Sequence, residues 1–329
     1  MPKELNILYQ FDDKYAPYAG ISLLSLYENN KEIENLNVYC AAIDVSEENI
    51  RRINESAAQF NRTVTYLNCT KCMDQIHKLK LGTWNGSLAT WIKMFIIEEF
   101  IGKIDSLLYL DSDTLIEGSL KDLCNFDFEE KAMACVIDSL SFEELHRLKI
   151  EKNKYYFNAG VMFFNLNYFV EHKSFYHDMI LHLEKNVKNY VINDQDLLND
   201  YFSGNIVKLS PEYNLQGIHF MYADKTYFKI YGKYDYYSRD EISMAKENKK
   251  IIHFFRAVGD YPWEEGNYHP LKREFENWKY KSLWSDIPNT TKKRTLIFRI
   301  ERILYRCLPK VVFLAFFKFV SERSLTAHS

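Results

Sequence analysis

Leu107-Leu108-Tyr109-Leu110-Asp111-Ser112-Asp113-Thr114-Leu115-Ile116 is an apolar run of strand type that ends in two carboxylates one residue apart. A short apolar run bounded by polar residues reads as a buried strand. In open α/β sheets, ligands sit beyond the carboxyl ends of the strands. Asp111 and Asp113 are therefore expected where a ligand can reach them. Residues i and i+2 of an extended chain point to the same side, so both carboxylates can face one cation. Hard oxygen donors suit Mg²⁺ or Mn²⁺. The plainer alternative is a strand-end turn carrying two solvated acids.

Outward from that run, strand and helix alternate. Leu5 to Phe11 reads as a first strand, and Asp12-Asp13-Lys14-Tyr15 as the loop at its carboxyl end. Pro17 to Tyr27 has helical spacing, Leu36 to Ile43 is a second strand, and Ser46 caps a helix running to about Phe60. Thr63 to Leu67 is a third strand. Ser87 to Ile101 is expected to be a helix carrying Lys93, and Lys131 to Ile137 a strand ending at Asp138. Tyr155 to Leu166 is apolar and β-rich, with the small Ala159 and Gly160 near its head, where a ligand can approach closely. Asn167 to Val187 is expected to be one long helix. Asn193-Asp194-Gln195-Asp196 opens another, with acids in a first turn where the helix dipole alone would favour them. Lys250 to Phe255 is a late strand carrying His253. This order predicts a mostly parallel sheet flanked by helices. No Gly-x-Gly-x-x-Gly follows the first strand, which argues against a dinucleotide site.

Composition narrows the classes. The 329 residues are 47% hydrophobic and 26% charged, enough for a full core, and the net charge of −3 gives no reason to expect nucleic-acid binding. Cys69 and Cys72 form the only close cysteine pair, and without a second pair no structural zinc is expected. The start shows no signal-peptide pattern, and the expected setting is cytoplasmic with reduced thiols.

From about Lys292 the composition shifts. Residues 292–323 hold nine Lys or Arg against two Glu, a local charge of +7 that leaves −10 on the remainder. Arg299, Arg302 and Arg306 fall on one helical face, and Leu296, Ile300, Ile303 and Leu304 on another. That is the pattern of an interfacial amphipathic helix on an anionic membrane. The alternative is a helix docked on the acidic remainder. Pro309 breaks or kinks the helix, and the apolar run Val311 to Phe317 is too short to span a bilayer, which takes roughly 20 residues. The expected division is a catalytic domain over 1–285 and a basic amphipathic extension over 286–329.

Several motifs, in order, resemble the family 8 glycosyltransferases, retaining enzymes of the lipopolysaccharide galactosyl- and glucosyltransferase type related to glycogenin. They are Tyr109-Leu110-Asp111-Ser112-Asp113 with Gly118-Ser119-Leu120, Phe157-Asn158-Ala159-Gly160-Val161, Asn193-Asp194-Gln195-Asp196 with Leu198-Asn199, and His253 ahead of Pro262-Trp263. Asp12-Asp13-Lys14-Tyr15 also looks like the family's nucleotide loop. The resemblance covers residues from about 4 to 280. It implies a GT-A fold, a UDP-hexose donor (glucose or galactose), Mn²⁺ or Mg²⁺ as cofactor, and a surface-glycan or lipopolysaccharide-type acceptor. Localisation would be peripheral at the inner face of the plasma membrane. By matched position, Asp111, Asp113 and His253 would hold the metal, and Asp12 and Tyr15 the uracil end. Gln10, Lys93, Ser112, Asn158, Ala159 and Asp194 would line the nucleotide-sugar pocket. Gln195, with Asp194, would be the catalytic pair near the anomeric carbon, and Asp138 would sit on the acceptor side. There are departures. Lys93 stands where the family often has Arg, a point charge in place of a bidentate fork. The His-x-x-Gly-x-x-Lys-Pro-Trp ending is two residues longer here, with Arg256 at the Gly position and Tyr261 at the Lys position. Either Arg256 replaces the missing phosphate contact or phosphate binding is weaker.

Two rivals stand beside this reading. An Asp-x-Asp after an apolar strand also fits a haloacid-dehalogenase-like phosphohydrolase with Asp111 as nucleophile. That class needs a later Lys and a downstream acidic pair, and no convincing pair follows Lys250. The other rival is a noncatalytic sugar-binding module.

Overall fold

A computed structural model describes residues 3–83, 88–150, 155–256, 258, 260–291 and 295–326, the side chains of 321–326 excepted. Its strands are β1 (Glu4–Asp12), β2 (Asn35–Ile43), β3 (Val64–Tyr66), β4 (Ser106–Asp111), β5 (Thr114–Ile116), β6 (Met133–Ile137), β7 (Phe157–Asn165), β8 (Ile206–Lys208), β9 (Leu215–Gln216) and β10 (Ile251–His253). A seven-stranded sheet has the order β3-β2-β1-β4-β7-β6-β8, and a three-stranded sheet the order β5-β10-β9. In the larger sheet β7 runs antiparallel to β4 and β6, while the other pairings are parallel. Leu5 to Phe11 are all buried, as a strand covered by helices on both faces requires.

Local chemistry sets the elements. Pro17 sits in the first turn of the helix Ala16–Asn29, where its missing N–H costs nothing. Ser46 caps the helix Glu47–Ala58 by accepting the Asn49 N–H. Trp284 packs against Gly20 of the first helix, where a Cβ would come within 2.0 Å of the indole, and donates to Asn49 Oδ1 of the second at 2.8 Å. A smaller apolar cluster of Ile21, Leu115, Ile252, Phe254, Trp263, Leu271 and Phe275 joins the small sheet to the helix Lys272–Lys281.

Two expectations change. The segment expected as one helix over 87–101 starts in part outside the described residues; the remainder is a 3₁₀ turn at Ala89–Trp91, a short helix Ile92–Ile96 and a second 3₁₀ turn at Ile97–Glu99. Lys93 is aimed by this bent segment, because its backbone N–H is tied to Gln10 Oε1 at 3.0 Å. The long helix over 167–187 is two, Leu166–Glu171 and Phe175–Asn186. The first opens on an Asn165 cap and ends where His172 leaves helical geometry. Pro309, as expected, breaks the tail into two helices, Leu296–Cys307 and Lys310–Thr326.

The first tail helix packs onto the rest of the chain through Arg302 and Leu304, one residue from each of the two faces, and leaves most of its apolar row outside. Arg302 turns inward, pairs with buried Asp260, lies 3.8 Å over the Tyr268 ring and donates to Gly266 O at 2.9 Å. Phe313 and Leu314 enter the main core. The row Leu296 (72% exposed), Ile297 (75%) and Ile303 (60%) faces outward instead. Of the three arginines on the basic face, Arg302 is captured by buried Asp260, while Arg299 and Arg306 stay exposed. Lys292, Lys293 and Arg294 lie outside the described residues.

Candidate active site

Asp111 ends β4 and Thr114 begins β5, so Asp111-Ser112-Asp113 is the corner at which the chain passes from the large sheet to the small one. β10 runs antiparallel to β5 with His253 opposite Thr114, and Phe254 N–H donates to Asp113 O at 2.9 Å. Those pairings bring His253 against the corner from a point 140 residues further along. Its Nε2 lies 3.3 Å from Asp113 Oδ1 and 3.8 Å from Asp111 Oδ2. One ligand atom from each of the three lies within 4.8 Å of the others. On the other flank, β7 pairs Val161 with Leu110 and so sets Gly160 beside Asp111. A Cβ there would meet His253 Cε1 at 2.1 Å and Asp111 Oδ2 at 2.9 Å. The small residue makes room for the protein's own ligands, a stricter demand than the ligand approach expected from sequence.

The donor set fits a hard divalent cation: two carboxylates and an imidazole. His253 Nδ1 lies 3.1 Å from Asn214 Oδ1 and is therefore the protonated nitrogen, leaving Nε2 to face the carboxylates. Burial pushes the imidazole pKa down, but Asp113 and then Asp111 outweigh it and hold the net shift upward. A field that favours a proton at this place favours a cation as well. Asn214 in turn donates to Asn158 Oδ1 at 2.8 Å, and Asn158 to Asp138 Oδ2 at 3.0 Å and to Gln195 Oε1 at 3.1 Å. One hydrogen-bonded row thus links the cation ligands to the expected acceptor side.

Lys93 is buried below the corner. Its Nζ lies 2.8 Å from Asp194 Oδ2 and 3.5 Å from Asp111 Oδ1, and donates to Ala159 O at 3.0 Å. Burial works against its charge, but Asp111 and Asp194 more than compensate, so the ammonium persists. Asp111 Oδ1 also accepts from Tyr109 OH at 2.5 Å. Gln195 opens the helix Asn193–Tyr201; its Oε1 accepts from Ala159 N–H at 3.0 Å and its Nε2 donates to Asp138 Oδ2 at 3.3 Å. Asp196 is fully buried and accepts the Val191 and Ile192 N–H groups, Tyr156 OH and Arg147, which fixes the start of that helix. For Asp196 the helix-terminus reading holds; Asp194, one turn position away, points to Lys93 instead.

The remaining expected residues fall into two groups. Gln10 and Ser112 are buried, and their polar atoms brace the corner from behind: Ser112 Oγ donates to Gln10 O at 2.8 Å. Asp12 accepts the Tyr15 N–H at 3.0 Å, and Asp13 anchors the loop through Ser46 N–H and Asn49. Tyr15 and exposed Arg256 stand at the open rim, where the Arg256 guanidinium lies 4.9 Å over the Tyr261 ring. Tyr261 stacks on Trp263, and Trp263 on Tyr18. Asn214, Tyr109 and Arg147 were not found from sequence. A buried polar residue in Tyr213-Asn214-Leu215-Gln216 is the only signal Asn214 leaves.

Comparisons with known proteins fit this geometry. The profile of the glycosyl transferase family 8 matches residues 6–266. A lipopolysaccharide 1,2-glucosyltransferase of Escherichia coli is 26% identical over 310 residues, covering 92% of this chain and 86% of that protein. General stress protein A of Bacillus subtilis is 24% identical, covering 87% of this chain and 96% of its own. Among solved structures, the bifunctional glycosyltransferase WbbM superposes with a TM-score of 0.70 at 18% identity, over 87% of this chain and 51% of that one. The galactosyltransferase LgtC, in complex with donor and acceptor sugar analogs, gives a TM-score of 0.65 at 18% identity, over 90% of this chain and all of the other. The GT-A fold expected from the sequence is the fold of this chain. The phosphohydrolase alternative, with Asp111 as nucleophile, finds no support: the matching family transfers glycosyl groups, and Asp111 shares its place with Asp113 and His253.

Proposed function

The chain belongs to glycosyl transferase family 8, and on that premise we propose that it moves a hexose from a UDP-sugar to a lipid-linked surface glycan, with retention and with a divalent cation. The single observation that carries this is the Asp111, Asp113 and His253 cluster with Lys93 and Asp194 directly behind it. Mn²⁺ is the preferred ion, with Mg²⁺ second, since a mixed carboxylate and imidazole set favours the softer of the two. When bound there, the ion supplies Lewis-acid stabilisation of a leaving diphosphate. Arg256 replaces the missing phosphate-contacting Lys at the rim, Tyr15 and Asp12 take the uracil end, and Asn158 and Ala159 border the sugar.

The protein's own groups favour a front-face reaction. Gln195 Oε1 already accepts two hydrogen bonds, which lowers its basicity. Asp194 is held by Lys93 as an ion pair. Asp138 accepts four hydrogen bonds, from Leu140 N–H, Ser141 N–H, Asn158 and Gln195, so it orients groups on the acceptor side and keeps its proton-accepting capacity occupied. Lys93 holds positive charge beneath the reacting sugar.

Residues 1–285 form the catalytic domain in this reading, and 286–329 attach it to a membrane. No helix among the described residues is long and apolar enough to cross one. The support for surface attachment is the outward apolar row of the first tail helix, with Arg299 and Arg306 exposed on the same helix and a local charge of +7 over 292–323 in the sequence. The test is turnover of UDP-glucose, UDP-galactose and UDP-N-acetylglucosamine by purified protein with Mn²⁺, with and without chelator. Turnover of none, or full activity in excess chelator, overturns the proposal.

A further inference from the structure

Asp194 and Gln195 stand in the first turn of the helix Asn193–Tyr201, and that turn is not of an ordinary kind. Asn193 has a φ of 35°, in the left-handed region where a non-glycine residue is uncommon. Ile192, just before it, offers no side-chain cap. The cap comes instead from inside the helix. Asp196 Oδ2 reaches back to the Val191 N–H at 2.6 Å and the Ile192 N–H at 2.9 Å, while the Gln195 and Asp196 N–H groups donate to Ile192 O at 2.9 and 3.2 Å. Asp196 is completely buried, and a carboxylate there needs a cation. Arg147 supplies it, with Nη2 at 2.6 Å from Asp196 Oδ2. The same guanidinium donates through Nη1 to Asn189 O at 2.7 Å and pairs through Nε with buried Glu144. From the short helix Glu144–Arg147 that follows Asp138, Arg147 thus grips the chain on both sides of the turn.

Three successive side chains leave the turn in three directions. Asp194 goes to Lys93 Nζ at 2.8 Å, Gln195 to the Ala159 N–H at 3.0 Å, and Asp196 to Arg147. Neighbours on a helix point about 100° apart, so fixing one of the three fixes the others. We propose that Arg147 is a positioning residue of the transferase: held to Asp196 and Asn189, it keeps the turn at Asn193 wound and so aims Asp194 and Gln195 at the reaction centre. The inference rests on the proposed transferase reading for the roles of Asp194 and Gln195. Left-handed backbone at a non-glycine residue persists only where its surroundings over-determine it, and here the determinants converge on one buried carboxylate. A planar fork suits the task, because its bonds leave in fixed directions; a lysine keeps the charge and loses that geometry.

The test uses the full chain with Mn²⁺ and follows hydrolysis of UDP-glucose, UDP-galactose and UDP-N-acetylglucosamine. Arg147→Lys keeps a cation between two buried acids and gives up the fork. It should lower kcat about 10²-fold, as a displacement of about 1 Å does. KM and the Mn²⁺ affinity, the latter read by calorimetry, should stay within about threefold, because the metal ligands lie on other elements. Amide exchange in the ligand-free protein should quicken over 191–196 and stay as it was over Phe175–Asn186. Adding Asn193→Gly should recover most of the lost kcat, since glycine takes a positive φ freely and the Asn193 side chain gives up only a long bond to Gly82 O at 3.4 Å. Should Arg147→Lys not fold, Tyr156→Phe is read in the same way. It removes the hydroxyl 2.6 Å from Asp196 Oδ1, and kcat is expected to fall about tenfold with the same faster exchange. Unaltered exchange over 191–196 overturns the inference. So does a loss of kcat that is matched by a loss of Mn²⁺ affinity, or one that Asn193→Gly leaves in place. Hydrolysis that the variants do not slow removes the inference alone; no hydrolysis by the unaltered protein removes the transferase reading and the inference with it.

Discussion

The corner between β4 and β5 and the first tail helix both gather charge, and they settle it in opposite ways. At the corner, Asp111 and Asp113 are fixed by the backbone of two sheets and cannot move apart; His253 and Lys93 approach them without cancelling their demand for positive charge. In the tail, charge sits at the ends of long side chains. Arg302 has reached inward to Asp260, and the apolar side has been left outside. Charge fixed by strands is preorganised for a ligand. Charge on flexible stems finds the nearest partner and turns the helix to suit it.

Four measurements would break or sharpen that contrast. The largest effect is expected for Asp113→Asn. It should lower turnover of the UDP-sugar about 10³-fold, while the melting temperature holds or rises, because one of two crowded acids is gone. A large fall in melting temperature would show that the corner is a structural ion pair. Next is pH. Burial holds buried His219 down to about 3 and His269 to about 4. Below about 6.5 the unfolded chain takes up these protons and the native protein does not, so stability is lost as pH falls. Between pH 7 and pH 5 each should cost about 2 kcal/mol, read by urea unfolding, and His219→Phe should remove about half of the loss.

Asn214→Ala tests whether the corner's geometry is held from outside. Without the Nδ1 partner, His253 can turn or change tautomer, and Mn²⁺ affinity should drop about 10–100-fold, measured by titration calorimetry. Unchanged affinity would place all the preorganisation in the strands. The smallest effect is expected for Arg302→Ala, about 1–2 kcal/mol of unfolding free energy, with faster hydrogen exchange over Leu296–Cys307. If exchange there is unaltered, the tail is held by Phe313 and Leu314 and the inward turn of Arg302 is incidental.

The sequence by itself determined the alternation of strands and helices, the place of Asp111 and Asp113 at a strand end, and, through ordered motifs, the family. Hydrophobic periodicity and turn chemistry are local, and a run such as Leu107 to Leu110 has few other ways to be buried. His253 could be named because its surroundings matched a motif; nothing local to it requires a carboxylate partner. Tertiary structure decided everything that depends on which strands pair. Only the β5–β10 register sets His253 against Asp113, and only the β4–β7 register makes Gly160 indispensable. Asn214 became a partner of His253, and Asp260 a partner of Arg302, through contacts across 39 and 42 residues of chain. The direction in which the tail helix faces was decided in the same way. Its two stripes are equally plain in the sequence, but that Arg302 of one of them turns inward depended on a buried acid, Asp260, that no local pattern reveals.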